Sequence, residues 1–255
     1  MSSFLVFVVL FTPVGAVPTS RDLYSKHRWA VVGISNGSPS ISPALPVVNT
    51  REGTGFFVDE DCTILTAKHV IDGIPPDRLV IRFRLPSRPS DQVIYAATVI
   101  YQNRDLAFLR AKTAGSDQCH SVGIGPLPLA DDWKSLVHTG DDVLIAGYPV
   151  MEKATGAVYD VAVVRDGIVA STELESFYDK GPMLLLDLIG VPGFSGGPVI
   201  HRPSGRVVGI ITGPGPIGRD AGLEWVTPVD LQDYRKAPRP QPPIPPLDLT
   251  PSRQR

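Results

Sequence analysis

V-P-G-F-S-G-G-P-V-I, running from Val191 to Ile200, is the stretch from which the chain can be understood. Ser195 is preceded by Gly193 and followed by Gly196 and Gly197, so a substrate carbonyl could approach its hydroxyl and the neighbouring N–H groups with almost no side-chain bulk in the way. Acyl-transfer enzymes present a nucleophile in this manner. A Gly/Pro-rich turn between two strands would have the same composition, and the apolar runs Leu184 to Ile189 and Val199 to Ile200 on either side support a turn. The two readings are compatible, and only partner residues elsewhere can decide between them.

The composition limits where those partners act. With 255 residues the chain can bury a substantial core as one large domain or two small ones. Lys and Arg total 24 against 26 Asp and Glu, a formal charge of −2, which gives no reason to expect nucleic acid or an anionic membrane as partner. Pro (26) and Gly (24) are frequent and long helical periodicities are missing, so many short strands joined by turns are expected, an all-β chain. Cys62 and Cys119 are the only cysteines and no C-x-x-C occurs, so neither a metal site nor a cofactor is expected. Whether those two cysteines form a bridge is left open by sequence.

Taken in order, the chain opens with the apolar run Phe4 to Phe11, too short to span a bilayer as a helix. With Val14 and Ala16 at small-residue positions, residues 1–16 suit a cleaved secretory signal and hence a secreted or cell-envelope protein. No Lys or Arg precedes the run, and a buried N-terminal strand in a cytoplasmic protein is the alternative. Strands are expected at Trp29 to Ile34, Gly53 to Val58, Thr63 to Ala67, Leu79 to Arg84, Val93 to Tyr101 and Leu106 to Ala111, within a first unit spanning 27–115. A second unit, 122–236, should contain Asp142 to Ala146, Val158 to Val164, Gly167 to Ala170, Met183 to Ile189, Pro198 to His201, Val207 to Thr212 and Glu224 to Val226. Six or seven strands thus follow six, and two tandem six-stranded antiparallel barrels, each closing its own edges, are the economical arrangement. Thr227, Pro228 and Asp230 read as the start of a closing helix over Pro228 to Lys236. Residues 237–255 are too rich in proline for ladders or a core and read as a solvated tail, with P-R-P-Q-P-P-I-P-P as a candidate ligand for a proline-recognising domain.

A serine hydroxyl needs a base to take its proton and a third group to orient that base. Among five histidines, His69 stands apart because it follows a well-formed strand, T-I-L-T-A-K-H-V, that would hold it rigidly. Asp105, in N-R-D-L-A-F-L-R, precedes an apolar strand and would sit at a strand mouth. Each alone has an ordinary structural explanation. In the order His69, Asp105, Ser195, divided between two groups of strands, they are far more specific.

These motifs resemble those of trypsin-like serine proteases of the chymotrypsin fold: T-A-K-H-V matches the histidine motif, R-D-L-A-F-L the aspartate motif and G-F-S-G-G-P the serine motif. The likeness spans Trp29 to Tyr234, and L-D-L-I, P-G-F-S-G-G-P and G-I-V-A-S are more similar to the bacterial Deg-type branch, although the peptide-binding domains of that branch are not expected in the short stretch after Val229. The resemblance implies Ser195 as nucleophile on polypeptide substrates, His69 as general base, Asp105 as its orienting partner and the N–H groups of Gly193 and Ser195 as oxyanion hole. It also implies that Ile189, six residues before the serine, forms the floor of the specificity pocket, with Thr212 and Gly213 lining the cleft. An apolar floor predicts cleavage after small or medium apolar residues. The chain departs from the family pattern at Val70, where a cysteine is common, and at Phe194, where zymogen-forming relatives carry aspartate. A catalytically silent module of the same fold is the alternative to an endopeptidase; an esterase of the α/β-hydrolase type would need the triad in another chain order.

Overall fold

A computed structural model of the chain describes residues 17–37, 48–111, 124–149, 162–175, 181–214 and 222–237. The apolar run before Val17, Cys119 and the Pro-rich stretch after Ala237 lie outside the described residues.

Twelve strands form two closed antiparallel barrels of six. The first contains β1 (Val31–Gly37), β2 (Val48–Phe57), β3 (Thr63–Ala67), β4 (Leu79–Leu85), β5 (Arg88–Asn103) and β6 (Leu106–Ala111), in the order β1-β2-β3-β6-β5-β4. The second contains β7 (Asp142–Gly147), β8 (Val163–Glu175), β9 (Pro182–Asp187), β10 (Pro198–His201), β11 (Arg206–Pro214) and β12 (Leu223–Pro228), in the order β10-β11-β12-β9-β8-β7. Closure removes the unpaired edges that open sheets expose. Both interiors are filled by branched and aromatic side chains; Phe57 and Phe83 meet edge to face with centroids 5.3 Å apart, a favoured ring arrangement.

The expected strands at Thr63 to Ala67, Leu106 to Ala111 and Pro198 to His201 have the observed bounds. Val158 to Val164 and Gly167 to Ala170 are corrected: from Val163 onward one continuous strand, β8, runs through Arg165–Gly167 to Glu175, and 158–161 lie outside the described residues. Gly167 pairs with Val143 in the β7–β8 ladder, so it does not mark a turn. The closing helix is also corrected. Thr227 is buried within β12, and Asp230 is the N-cap of a shorter helix, α4 (Leu231–Lys236), its carboxylate accepting from Gln232 and Asp233 N–H groups.

Among the described residues, four α-helices punctuate the strands. The N-terminal one, α1 (Ser20–His27), begins with a reciprocal capping box between Thr19 and Asp22. Two are single turns, α2 (Lys68–Ile71) and α3 (Trp133–Leu136). The terminal helices cross over between barrels. α1 precedes β1 of the first barrel, yet its buried Leu23 faces Gly205 and its Tyr24 hydroxyl donates to Ala162 O, both in the second. α4 leaves the second barrel and returns to the first, where Tyr234 donates to Asp59 Oδ2 (2.7 Å) and stands beside Phe108.

Cys62, at the β2–β3 turn with φ +63, is disulfide-bonded. Cys119 is the one other cysteine in the chain.

Candidate active site

β3 runs fully buried to Ala67, and the chain then turns into α2, which carries His69 in its first residues. A helix start leaves backbone N–H groups without intrahelical acceptors, and Ala67 has no side chain to take one. Asp105 does so from the β5–β6 loop: Lys68 N–H donates to its carbonyl (2.8 Å) and His69 N–H to its Oδ1 (3.0 Å). The same carboxylate faces the imidazole, with Nδ1 at 2.9 Å from Oδ2 and 3.2 Å from Oδ1.

The position of Asp105 follows from the tight β5–β6 hairpin. Asn103 pairs with Leu106, so only Arg104 and Asp105 form the loop, and Arg104 takes the left-handed φ of +52. A non-glycine residue there costs on the order of 1–2 kcal/mol, strain of the kind found where geometry is functional. The Asp105 side chain is 5% exposed and that of His69 40%. A buried carboxylate accepting from Nδ1–H fixes the proton on Nδ1, which leaves Nε2 as a lone-pair acceptor directed away from the aspartate.

Ser195 lies on the loop between β9 and β10 and reaches the first barrel through its backbone. Its carbonyl accepts from Thr54 N–H of β2 (2.8 Å). Gly53 separates that carbonyl from Val70: a Cβ on Gly53 would come within 2.7 Å of both Ser195 O and Val70 Cγ2. The serine loop and the His69 turn are therefore neighbours across one glycine. No hydrogen bond joins Ser195 Oγ to His69 among the described residues, a looseness common in unliganded sites.

Gly193 has φ +95, and Gly196 has φ +82 with Thr54 O and Thr66 Oγ1 where its Cβ would be. Glycine is required at 196 by both conformation and space. Among the described residues no carbonyl accepts from the N–H of Gly193 or of Ser195, so both donors remain for a ligand. Phe194 between them is 1% exposed and packs on Gly147, filling the second barrel beneath the loop.

The other sequence-predicted residues lie on β11 and on the loop after β9. Thr212 is a bulge residue, with Ile211 paired to Val226 and Gly213 to Trp225; its hydroxyl donates to Trp225 O (3.2 Å). Ile189 is 58% exposed, so it is not an enclosed pocket floor. Behind it lies a residue that sequence reasoning missed. Glu224 of β12 is 3% exposed, pairs with Pro214 of β11, and occupies the place that a side chain on Gly190 would take. Its single available signal was a charged residue within an apolar strand pattern, L-E-W-V.

A family model described as trypsin-like peptidase domain matches residues 53–210. No curated protein matches the sequence. Among solved structures, one titled "Crystal structure of Deg5" superposes with TM-score 0.60 at 18% identity, covering 84% of this chain and 90% of that one, a likeness of fold. With more than half its length matched by that model, the chain belongs to the trypsin-like peptidase family.

Proposed function

We propose that the chain is a serine endopeptidase in which Ser195 attacks the scissile carbonyl, His69 carries the proton to the leaving amine, and Asp105 holds the imidazole. The observation that carries this reading is the joint engagement of Asp105 with the His69 ring and with the backbone of the turn that bears it. A structural aspartate has no need to face Nδ1 at 2.9 Å while capping the same residue's N–H. In the proposed reaction the Ser195 proton passes to Nε2 as the tetrahedral oxyanion forms, and the N–H groups of Gly193 and Ser195 stabilise that charge. Collapse releases the amine with the proton from His69 and leaves an acyl-enzyme, which water then hydrolyses by the same steps in reverse. Ser195→Ala and His69→Ala should each abolish hydrolysis of a peptide substrate while preserving the folded state by circular dichroism. Activity retained in either variant would refute the assignment. Loss of the wild-type activity itself would point to the catalytically silent alternative.

For substrate preference, the apolar expectation depends on Ile189, whose exposure deprives it of an enclosed apolar wall. The buried carboxylate of Glu224 beside Gly190 favours a second reading, a pocket that takes a cationic side chain before the scissile bond. Glu224 already has an interaction of its own in the chain, which an incoming cation would join or displace. A peptide library decides: cleavage after Arg or Lys that Glu224→Gln weakens supports the acidic pocket, and cleavage after Val or Ala unaffected by Glu224→Gln restores the apolar one. The disulfide at Cys62, together with the signal-like run Phe4 to Ala16, favours action in an oxidising compartment. A mature terminus at Val17 by mass spectrometry is the expected result.

A further inference from the structure

We infer that the Thr54 hydroxyl is the positioning group of the oxyanion loop, a role that rests on the serine-endopeptidase reading above. Thr54 lies in β2 of the first barrel, is fully buried, and directs its N–H and its hydroxyl to residues of the second. Its N–H donates to Ser195 O (2.8 Å) and its carbonyl accepts from Thr66 Oγ1 (2.6 Å). Its Oγ1 lies 2.6 Å from Gly193 O and 2.9 Å from the backbone nitrogen of Tyr148. The direction of the last two bonds is determined by chemistry. Tyr148 N–H can only donate, so the hydroxyl accepts there, and its single proton goes to Gly193 O.

Glycine at 193 is what makes such an anchor necessary. Without a Cβ, Gly193 has little steric preference between the orientation that aims its N–H at a substrate and those that aim it elsewhere. The Gly193–Phe194 peptide is also held at its other end, where Phe194 N–H donates to Val191 O (3.1 Å), and the peptide after it is held by Gly197 N–H, which donates to Phe194 O (2.8 Å). The Gly193 carbonyl is held by Thr54 Oγ1, and the Ser195 carbonyl by Thr54 N–H. One residue thus grips both carbonyls that bracket Phe194, from the opposite barrel. Through Thr66, three residues before His69 on β3, the same residue is tied to the strand that delivers the base. Thr54 thereby sets where the two oxyanion donors stand relative to His69, without touching substrate. A hydroxyl is needed because Gly193 O requires a donor and Tyr148 N–H an acceptor on the same atom, which neither valine nor alanine supplies.

The experiment compares Thr54→Val and Thr54→Ser in the full chain on one peptide substrate, with active sites counted by fluorophosphonate. Thr54→Val should lower kcat by about 10- to 100-fold, less than removal of an oxyanion donor outright, with KM changed less than about threefold. Thr54→Ser, which keeps the hydroxyl, should stay within about threefold of wild type. Ile81→Ala, buried in β4 away from the site, controls for stability and should lower the melting temperature without lowering kcat. If Thr54→Val does not fold, Thr54→Ala is read by the same criteria. The proposal is overturned if the hydroxyl-free variant keeps its kcat, if serine fails to rescue, or if Ile81→Ala reproduces the kcat loss at equal loss of melting temperature. A wild-type chain inert to both peptide and fluorophosphonate would instead refute the endopeptidase reading itself, whereas reactive wild type with an equally reactive Thr54→Val refutes only the role of Thr54.

Discussion

Asp105 has three tasks in one residue: acceptor for Lys68 N–H, acceptor for His69 N–H, and partner of the His69 ring. Asp105→Asn separates the electrostatic task from the other two. Its backbone carbonyl is unchanged and its side-chain Oδ1 can still accept from His69 N–H, but an Nδ2 amide facing Nδ1 donates where the carboxylate accepted. The imidazole proton is then forced onto Nε2, which can no longer take one from Ser195. The expected outcome is a fall in kcat of about 10⁴-fold with secondary structure intact, measured by steady-state kinetics beside circular dichroism. The identities of His69, Asp105 and Ser195 as candidates were legible because each sits in a short motif at a strand end. Thr54 and Glu224 were not legible. Thr54 looked like one more residue of a G-T-G strand, since what it grips lies 139 residues away in sequence at Gly193. The meaning of Glu224 depends on which residue its strand brings opposite, and that is fixed only by the β11–β12 and β9–β12 registers.

At the level of elements, strands were more legible than helices because alternation and turn residues recur across the whole chain, while the helices are short. The capping box at Thr19 and Asp22 was present in the sequence, but a helix of eight residues whose apolar side is little more than Leu23 gives weak periodicity. That helix ends on His27, buried at the junction with β1. Burial, followed by the nearby charge of Lys26, pushes the His27 imidazole down to about 4. The folded state thus resists protonation that the unfolded chain, near 6.5, accepts. Between about pH 6.5 and pH 4 the unfolded state binds more protons, so this residue's contribution to stability is complete above the upper value and declines as pH falls through that window. Urea denaturation at stepped pH should show a falling midpoint over this range, and His27→Gln should flatten the fall if the variant folds to the same baseline signal. An unchanged slope in His27→Gln would remove His27 as its source.

For the molecule as a whole, the grouping of the strands into two units followed from alternating patterns and Gly/Pro turns, and the two closed barrels are as expected. What the pattern could not convey is how the barrels are joined. Leu127 N–H donates to Phe57 O, Tyr148 N–H to Thr54 Oγ1, and the terminal helices each rest on the barrel opposite to the one they adjoin in sequence. These links are long-range and polar or involve single side chains, so no local periodicity announces them. They matter because His69 and Asp105 belong to one barrel and Ser195 to the other, and the site exists only where the two are held in register. The most direct measurement is reaction of the full chain with a fluorophosphonate followed by peptide mapping. A serine activated by His69 and Asp105 predicts one label per chain, on Ser195, lost in His69→Ala. No labelling, or equal labelling when His69 is removed, would contradict an activated Ser195.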